Sequence, residues 1–276
     1  MTEAAVTDLG LLRDADRHRR RKAKRLQIAL GIGFPIFLLI IWEILTRAGI
    51  ADRRFFPAPT TIGTVMVQLL ESPFERAKIA ADIVATFKRL LIGYGLGAAA
   101  GISLGLAMGL SAKMRYSVAP MITATFPTPK LALFPFLIVL FGLGDASKIA
   151  ILVLGVFYMT CLSTLTGVTY SNPMYRDVAQ AFRIPRTVYW LRVVIPAALP
   201  SIVTGLKLGV GQALILIVAV EMIASQEGIG HFIWNSWEIF DVPRMFMGLI
   251  IAILMGGGAM LFGEFLERKL TPWVVR

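Results

Sequence analysis

Few side chains in this sequence have the types and spacing that catalysis needs. The two histidines, His18 and His231, lie far apart in the chain, and neither has metal-ligand spacing to another candidate ligand. The Gly-x-x-x-x-Gly-Lys-Ser/Thr pattern that cradles nucleotide phosphates does not occur. The sequence therefore predicts no catalytic residues, no metal site and no ATP hydrolysis on this chain.

Among the charged side chains inside the long apolar runs, we single out Lys130, Lys207 and Glu221. Charged groups at such positions are costly in a membrane and commonly mark ion or substrate pathways. We therefore treat them as candidate residues of a translocation pathway, in which the two lysines would attract anions. Two alternatives remain: Lys130 snorkels to an interface, or Glu221 forms a structural ion pair with Lys207 or Lys130. Glu43 follows Trp42 and is interpreted as an interfacial anchor.

The composition explains why so few charges are available. The chain is 57% hydrophobic and 16% charged, with a mean hydropathy of +0.72, whereas soluble domains are about 45–50% apolar and about 25% charged. A bilayer core needs roughly 20 apolar residues per helix, because the backbone must satisfy its own hydrogen bonds. We predict an all-α polytopic membrane protein whose six transmembrane helices fall at Ile28–Thr46, Ile83–Leu110, Pro120–Phe141, Ile149–Val168, Ile202–Ile223 and Met245–Phe265.

The chain has a net charge of +11. The basic residues lie beside the apolar runs, and this distribution favours a membrane protein over a nucleic-acid-binding protein. A basic tail, residues 1–26, precedes the first apolar run and suits acidic lipid headgroups, though it equally suits a plain topological signal. The connections Ser111–Ala119 and Tyr170–Ser201 are also basic. The positive-inside rule therefore predicts both termini in the cytoplasm, with a transmembrane domain over residues 27–276.

Two features inside the spans predict how helices pack. The second span carries a glycine every fourth residue, which places all five on one face and lets another helix approach closely: Gly93, Gly97, Gly101, Gly105 and Gly109. The third span is interrupted by Pro127, Pro129 and Pro135, with Lys130 between them. Broken backbone at membrane depth needs surrounding protein or a water-filled cavity, so this span is a candidate wall of a passage. The lone Cys161 is interpreted as a small buried hydrophobe.

The longest predicted cytoplasmic connection, Tyr170–Ser201, contains a short amphipathic helix at Asp177–Phe182. We expect Pro196 and Pro200 to end this segment at the next span. An ordered helix parallel to the membrane suits the docking of a cytoplasmic partner. By periodicity alone, a helix resting on lipid headgroups is an equal alternative.

This segment resembles the EAA loop of bacterial ATP-binding-cassette importer permeases. That pattern is Glu-Ala-Ala, three residues, Gly, nine residues, then Ile-x-Leu-Pro. Asp177-Val178-Ala179 takes the first three places, Arg183 replaces the glycine, and Val193, Ile195 and Pro196 fill the closing motif. The arginine is a departure from the pattern, because the glycine permits a tight turn. Stretches such as Phe56-Pro57-Ala58-Pro59 and Pro127–Pro135 are also similar to the branch that serves nitrate, bicarbonate, sulfonate, taurine and thiamine-precursor uptake.

The resemblance implies a mechanism and a set of partners. Two permease copies, either a homodimer or a pair of similar chains, would form the pore. Two ATPase subunits would hold ATP and Mg, and a soluble binding protein would deliver the solute. ATPase coupling would fall on the segment around the short helix, comprising Asp177, Val178, Ala179, Gln180, Ala181, Phe182, Arg183, Arg186 and Pro196. The alternative from composition alone is a secondary transporter or channel that works without ATPase subunits.

Overall fold

The computed structural model describes residues 22, 26, 27, 29–170 and 173–273. All regular structure within these residues is helical, which confirms the predicted all-α fold. Five of the described helices are long and apolar enough to cross a membrane, and the number is six if a bent pair of helices is counted as one broken span. Apart from Lys22, the basic residues of the predicted tail lie outside the described residues, as does Ile28, the predicted first residue of the first span.

The chain divides into two units, Met1–Val67 and Gln68–Arg276. In the first unit, helix α1 spans Ala29–Arg47 and exposes apolar side chains along its length. Glu43 connects α1 to the next helix, because its carboxylate accepts hydrogen bonds from the Thr60 amide at 3.1 Å and the Thr60 hydroxyl at 2.7 Å. Arg47 donates to the same carboxylate at 2.6 Å. Glu43 thus caps the start of helix α2, Pro59–Glu71, most of which belongs to this unit.

The second unit contains the remaining helices. In chain order they are α3 (Pro73–Leu110), α4 (Ala112–Thr125), a 3₁₀ turn (Lys130–Leu133), α5 (Phe134–Phe141), α6 (Asp145–Thr169), α7 (Pro173–Ala181), α8 (Arg186–Tyr189), a π-helical turn (Trp190–Val194), α9 (Ile195–Ala224), α10 (Ile229–Glu238) and α11 (Val242–Leu270). Helices α3, α6 and α9 pack against one another around buried residues that include Ile151, Val156 and Ile217.

The glycine stripe of α3 faces α6. A Cβ atom added at Gly97 would lie 2.7 Å from the Val153 carbonyl oxygen, and one added at Gly105 would lie 2.7 Å from the Cys161 carbonyl oxygen. Gly93, Gly101 and Gly109 make equivalent contacts with α6, at Leu152, Thr160 and Val168 respectively. Because later glycines of α3 meet later residues of α6, the two helices run parallel. Their backbones are too close for any residue larger than glycine at these positions.

The parallel packing fixes the path of the chain. Because α3 and α6 point the same way, residues between them must return across the bundle, and the bent pair α4–α5 does so. Helix α9 runs antiparallel to α6, since Gly205 meets Ser163 while Gly167 meets Ser201. We call the end where α6 finishes and α9 begins the α7 end, and the opposite end the α10 end.

Several predicted boundaries were wrong, each for a local reason. Helix α3 begins at Pro73, ten residues before the predicted span, because Ser72 accepts a hydrogen bond from the Glu75 amide and Pro73 suits the first turn. The stretch Ser111–Ala119, predicted as a connection, is mostly helical because Ser111 caps α4. Capping residues extend these helices beyond their apolar runs.

The prolines predicted to end the cytoplasmic segment do not end it. Pro196 is the second residue of α9 and follows directly on the π-helical turn, and Pro200 lies within the same helix. The helical arm therefore runs from Arg186 through the π-helical turn directly into α9. Helix α10 was not predicted at all, because it is too short for a span and lies in a predicted outer loop.

Candidate coupling surface and translocation pathway

Helix α7 carries the residues predicted to couple the chain to an ATPase. Three apolar side chains spaced by four residues form an exposed ridge on it: Met174 is 65% exposed, Val178 43% and Phe182, just beyond its end, 77%. Ala179 lies on the other face and is buried. Asp177, Gln180 and Ala181 are also exposed. The helix thus turns an apolar ridge with polar flanks away from the bundle, and this arrangement suits a protein partner or a headgroup layer.

A tight turn ends α7 at the position where the EAA pattern has glycine. Arg183 adopts φ 52°, in the left-handed region. The amide of Ile184 donates to the Ala179 carbonyl at 2.9 Å, and the amide of Arg183 donates to the Gln180 carbonyl at 3.1 Å. These two bonds form a Schellman motif, which normally has glycine at the left-handed position. The turn that glycine would permit is therefore made here with arginine.

A groove of about 910 Å³ separates α7 from the ends of the bundle helices. Its walls include Gly109 of α3 and Val168 of α6, and Ala179 forms part of its α7 side. Three arginines also line it, namely Arg115, Arg183 and Arg186. The α7 end of the bundle is thus loosely filled and basic.

The arm that follows α7 connects the groove to the bundle core. Val194, at the end of the π-helical turn, is buried with Ala198, Ile202 and Val168. A π-helical turn carries one more residue than an α-helical turn and commonly marks functional sites. The helical arm therefore begins at Arg186, in the predicted coupling segment, and continues through α9 to the α10 end.

The α10 end is held by a cluster of charges around Arg89, which is 2% exposed. Its guanidinium forms ion pairs with Asp145 at 2.7 Å, with Glu221 at 2.8 Å and with Glu227 at 2.8 Å. It also donates to the Glu227 carbonyl at 3.0 Å. One arginine thus links α3, the first turn of α6, α9 and the loop before α10.

Glu221 is completely buried in this cluster. The Thr86 hydroxyl donates to its carboxylate at 2.8 Å, and the Gly230 amide donates at 3.1 Å. The expected partner of Glu221, Lys207 or Lys130, was wrong, because Arg89 takes that place. The interpretation as a structural ion pair agrees with this geometry. An arginine two turns inside the second apolar run, with a carboxylate inside the fifth, was the available signal in the sequence.

Gly228 shapes the loop that closes over this cluster. Its φ is 113°, and an added Cβ would lie 2.5 Å from the Glu221 Oε1 atom. Its amide donates to the buried Asp82 carboxylate at 2.7 Å. Only glycine fits both the backbone conformation and the space beside the carboxylate.

Lys207 is neutralised by a residue of the last helix. Its Nζ lies 2.9 Å from a Glu267 carboxylate oxygen. Lys207 lies at one side of an apolar cavity of about 560 Å³ between α3, α9 and α11, which is also lined by residues such as Phe87, Leu254 and Phe262. Lys207, Lys130 and Glu221, the three predicted pathway residues, therefore belong to three different surroundings.

Lys130 lies at the break between α4 and α5, which meet at a bend of 92°. Its Nζ donates to the Phe126 carbonyl at 2.9 Å and stands over two aromatic rings, 5.0 Å from the centre of Phe126 and 5.1 Å from the centre of Tyr158. The Tyr158 hydroxyl donates to the Thr125 hydroxyl at 3.0 Å. Sequence patterns singled out Lys130 but missed both aromatic partners, because they are separated from each other in sequence and ordinary for apolar spans.

Residues 97–272 match the family described as binding-protein-dependent transport system inner membrane component. The chain is 30% identical over 249 residues to the taurine transport system permease protein TauC of Escherichia coli (strain K12), covering 90% of each chain. It is 28% identical over 243 residues to the putative aliphatic sulfonates transport permease protein SsuC of Bacillus subtilis (strain 168), covering 88% of this chain and 87% of the relative.

A third relative is the nitrate import permease protein NrtB of Leptolyngbya laminosa, which is 30% identical over 256 residues and covers 91% of this chain and 90% of its own length. The family match covers more than half of the chain, and the relatives align along nearly all of it. The chain therefore belongs to the binding-protein-dependent transport system inner membrane component family, as an ATP-binding-cassette importer permease of the sulfonate, taurine and nitrate branch.

Proposed function

We propose that this chain is the transmembrane subunit of an importer in which a separate ATPase subunit docks on α7. The observation that carries the proposal is the exposed ridge of Met174, Val178 and Phe182 on a helix whose other face is held by buried Ala179. A protein partner buries such a ridge more completely than headgroups do, and the family of the chain favours the partner. ATP and Mg would be held by that partner.

The connection from α7 to α9 gives docking a mechanical consequence. Arg186 begins a helical arm that continues through the π-helical turn into α9. Closure of two ATPase subunits on ATP would move α7, and the arm would transmit this movement to the bundle. Such a protein alternates between two packed arrangements, each favoured by a different set of partners.

The remaining parts of the assembly follow from the same proposal. A second copy of this permease would complete the passage, and a soluble binding protein would deliver the solute at the α10 end. That end would face outward and α7 would face the cytoplasm of a bacterial cell, with both termini inside. The basic tail, residues 1–26, would then lie against acidic headgroups.

We propose that the solute is a small organic or inorganic anion such as a sulfonate, taurine or nitrate. The names of relatives that carry taurine, aliphatic sulfonates and nitrate support this class. Lys130, a cation inside a span, is compatible with anion passage. The relatives differ among themselves in solute, so the choice within the class would be made mainly by the binding protein.

Purification of the chain from its native membranes in mild detergent tests the proposal. We expect an ATPase subunit to be retained at equal copy number, identified by mass spectrometry and quantified against the permease. A chain that purifies alone, and moves nitrate or taurine when reconstituted alone, would instead be a secondary transporter or channel.

A further inference from the structure

The basic side chains within the spans differ in how their charge is compensated. Arg89 contacts three carboxylates and Lys207 contacts one. No carboxylate of the described residues lies within ion-pair distance of Lys130, whose polar contact is the Phe126 carbonyl oxygen. A half-buried ammonium group without a counter-charge is costly in a membrane segment and needs a functional reason.

Lys130 lies level with the middle of helix α6. Helix α6 has 25 residues and is therefore about 37 Å long, at 1.5 Å per residue. Tyr158, whose ring contacts the Lys130 ammonium, stands about 20 Å from the start of α6. The lysine is thus too far from either end of α6 to reach a headgroup layer by extending its side chain, and this depth argues against the snorkelling alternative.

The surface that carries Lys130 is unsuited to lipid. Pro127, Thr128 and Pro129 form the non-helical break, and all three are exposed on the surface of the chain. Non-helical backbone at membrane depth occurs where protein or a water-filled cavity covers it, because lipid cannot satisfy its polar groups. The exposed Thr125 hydroxyl beside the break adds another polar group to the same surface.

We propose that Lys130, at the break between α4 and α5, forms a mid-membrane binding station for the oxygen atoms of a small anion such as a sulfonate or nitrate. This inference rests on the proposed function, since it assigns the solute class to one site in the passage. The ammonium group has three donors, of which the Phe126 carbonyl engages one. Two donors are left for anion oxygens.

The surroundings of Lys130 suit brief occupancy. In the absence of an anion, the Phe126 and Tyr158 rings stabilise the ammonium through cation–π contacts. These contacts and a neutral carbonyl hold a cation less firmly than a carboxylate would. A passage needs sites that attract the solute and also release it, and Lys207, paired with Glu267, lacks this property.

Charge-selective labelling tests the station without any partner subunit. A cysteine is introduced at the exposed position by Thr128→Cys, and membranes are treated with the anionic reagent sulfonatoethyl methanethiosulfonate or the cationic reagent trimethylammonioethyl methanethiosulfonate. Native Cys161 is fully buried and serves as a silent background, checked with the unsubstituted chain. We expect Lys130→Gln to lower the anionic-to-cationic rate ratio by about tenfold or more.

The matched control is Lys88→Gln, which removes an exposed lysine from another helix and should leave the ratio unchanged. Millimolar methanesulfonate should slow the anionic reagent in the Lys130 background and have no effect after Lys130→Gln. Three results would each overturn the inference. They are an unchanged rate ratio after Lys130→Gln, no protection by methanesulfonate, and a Thr128→Cys site that neither reagent reaches. These results are independent of ATPase retention, so a failed station and a failed importer assignment can be told apart.

Discussion

The two ends of the bundle are built in opposite ways. At the α10 end, the Arg89 guanidinium joins four parts of the chain through buried or partly buried ion pairs, and Gly228 closes the loop above them. At the α7 end, a groove of about 910 Å³ separates α7 from the bundle, and Phe182 stays 77% exposed. The α10 end pairs its charged groups within the chain, whereas the α7 end leaves an apolar side chain and a groove open to a partner.

The contrast between the two ends indicates which of them can move at a low cost in free energy. Breaking the α10 end would leave the buried Glu221 carboxylate without its cation, which is a large penalty. Moving α7 disturbs few buried groups and an already open groove. A protein that must respond to a partner draws its moving parts from such weakly packed regions, so the α7 end is the side from which the bundle can be driven.

The largest expected effect is at the α10 end. Arg89→Met leaves Glu221 buried and unpaired, whereas the half-exposed Asp145 and Glu227 can regain water. We expect a loss of about 3–5 kcal/mol in the free energy of unfolding, measured by tryptophan fluorescence during denaturation in detergent.

Two further variants sharpen that measurement. Lys88→Met changes the exposed neighbour and should cost little. Adding Glu221→Gln to Arg89→Met should recover part of the loss, because the buried charge is then gone. Equal stability of the Arg89→Met and Lys88→Met chains would mean that the charge cluster does not hold this end.

The next effect concerns the stripe that connects the two ends. Gly101→Leu would push side-chain atoms against the Phe157 carbonyl oxygen, which already lies 2.6 Å from an added Cβ. We expect a loss of about 1–3 kcal/mol or more from overpacking, with lower yield of folded chain in size-exclusion chromatography. Gly95→Leu is the matched control on the same helix, since no heavy atom lies within 4 Å of its added Cβ. Similar yields from the two variants would contradict the close packing of α3 on α6.

At the α7 end we expect a change in partner binding without a change in stability. Asp177→Arg reverses an exposed charge on α7. Because the site is exposed, we expect the free energy of unfolding to change by less than about 0.5 kcal/mol. Retention of the ATPase subunit during purification should nevertheless fall by about tenfold, corresponding to ~1.4 kcal/mol. Glu71→Arg, another exposed charge reversal, should retain the ATPase. Full retention by Asp177→Arg would remove this residue from the coupling surface.

The smallest effect is expected at the turn after α7. Arg183 already adopts φ 52°, so Arg183→Gly should keep the turn and change stability by no more than about 1 kcal/mol. Arg183→Val places a β-branched residue in a conformation that it tolerates poorly, and ATPase retention should fall below that of the glycine variant. Equal retention by both variants would show that the turn geometry does not matter for docking.

Sequence patterns predicted the transmembrane helices well but not their ends. Apolar runs of bilayer length identify spans directly, and four-residue glycine spacing identified a packing face on α3. Helix ends depend on capping groups such as Ser72 and Ser111, which extend α3 and α4 into polar sequence. Pro196 was misread because the chain stays helical through it, directly after the π-helical turn.

In the candidate sites, features set by neighbouring residues could be predicted, whereas contacts between residues far apart in the sequence could not. The amphipathic pattern of Asp177–Phe182 was local and placed a helix where α7 lies, although the structure starts it earlier, at Pro173. The partner of Glu221 lies 132 positions away, at Arg89, and no local pattern connects them. The surroundings of Lys130 likewise depend on Tyr158 from another helix. Which charges are compensated is a property of the packed bundle.

The length of α3 has a consequence for the lipid that surrounds it. With 38 residues, it is about 57 Å long, whereas the hydrocarbon core of a bilayer is about 30 Å thick. Arg89 stands 21 residues before the end at Leu110, a rise of about 32 Å. If that end rests at one edge of the core, the charge cluster sits at the other edge, level with the headgroups. A thicker bilayer would draw these ion pairs into hydrocarbon unless α3 became more upright, so acyl-chain length should alter the resting arrangement of the bundle.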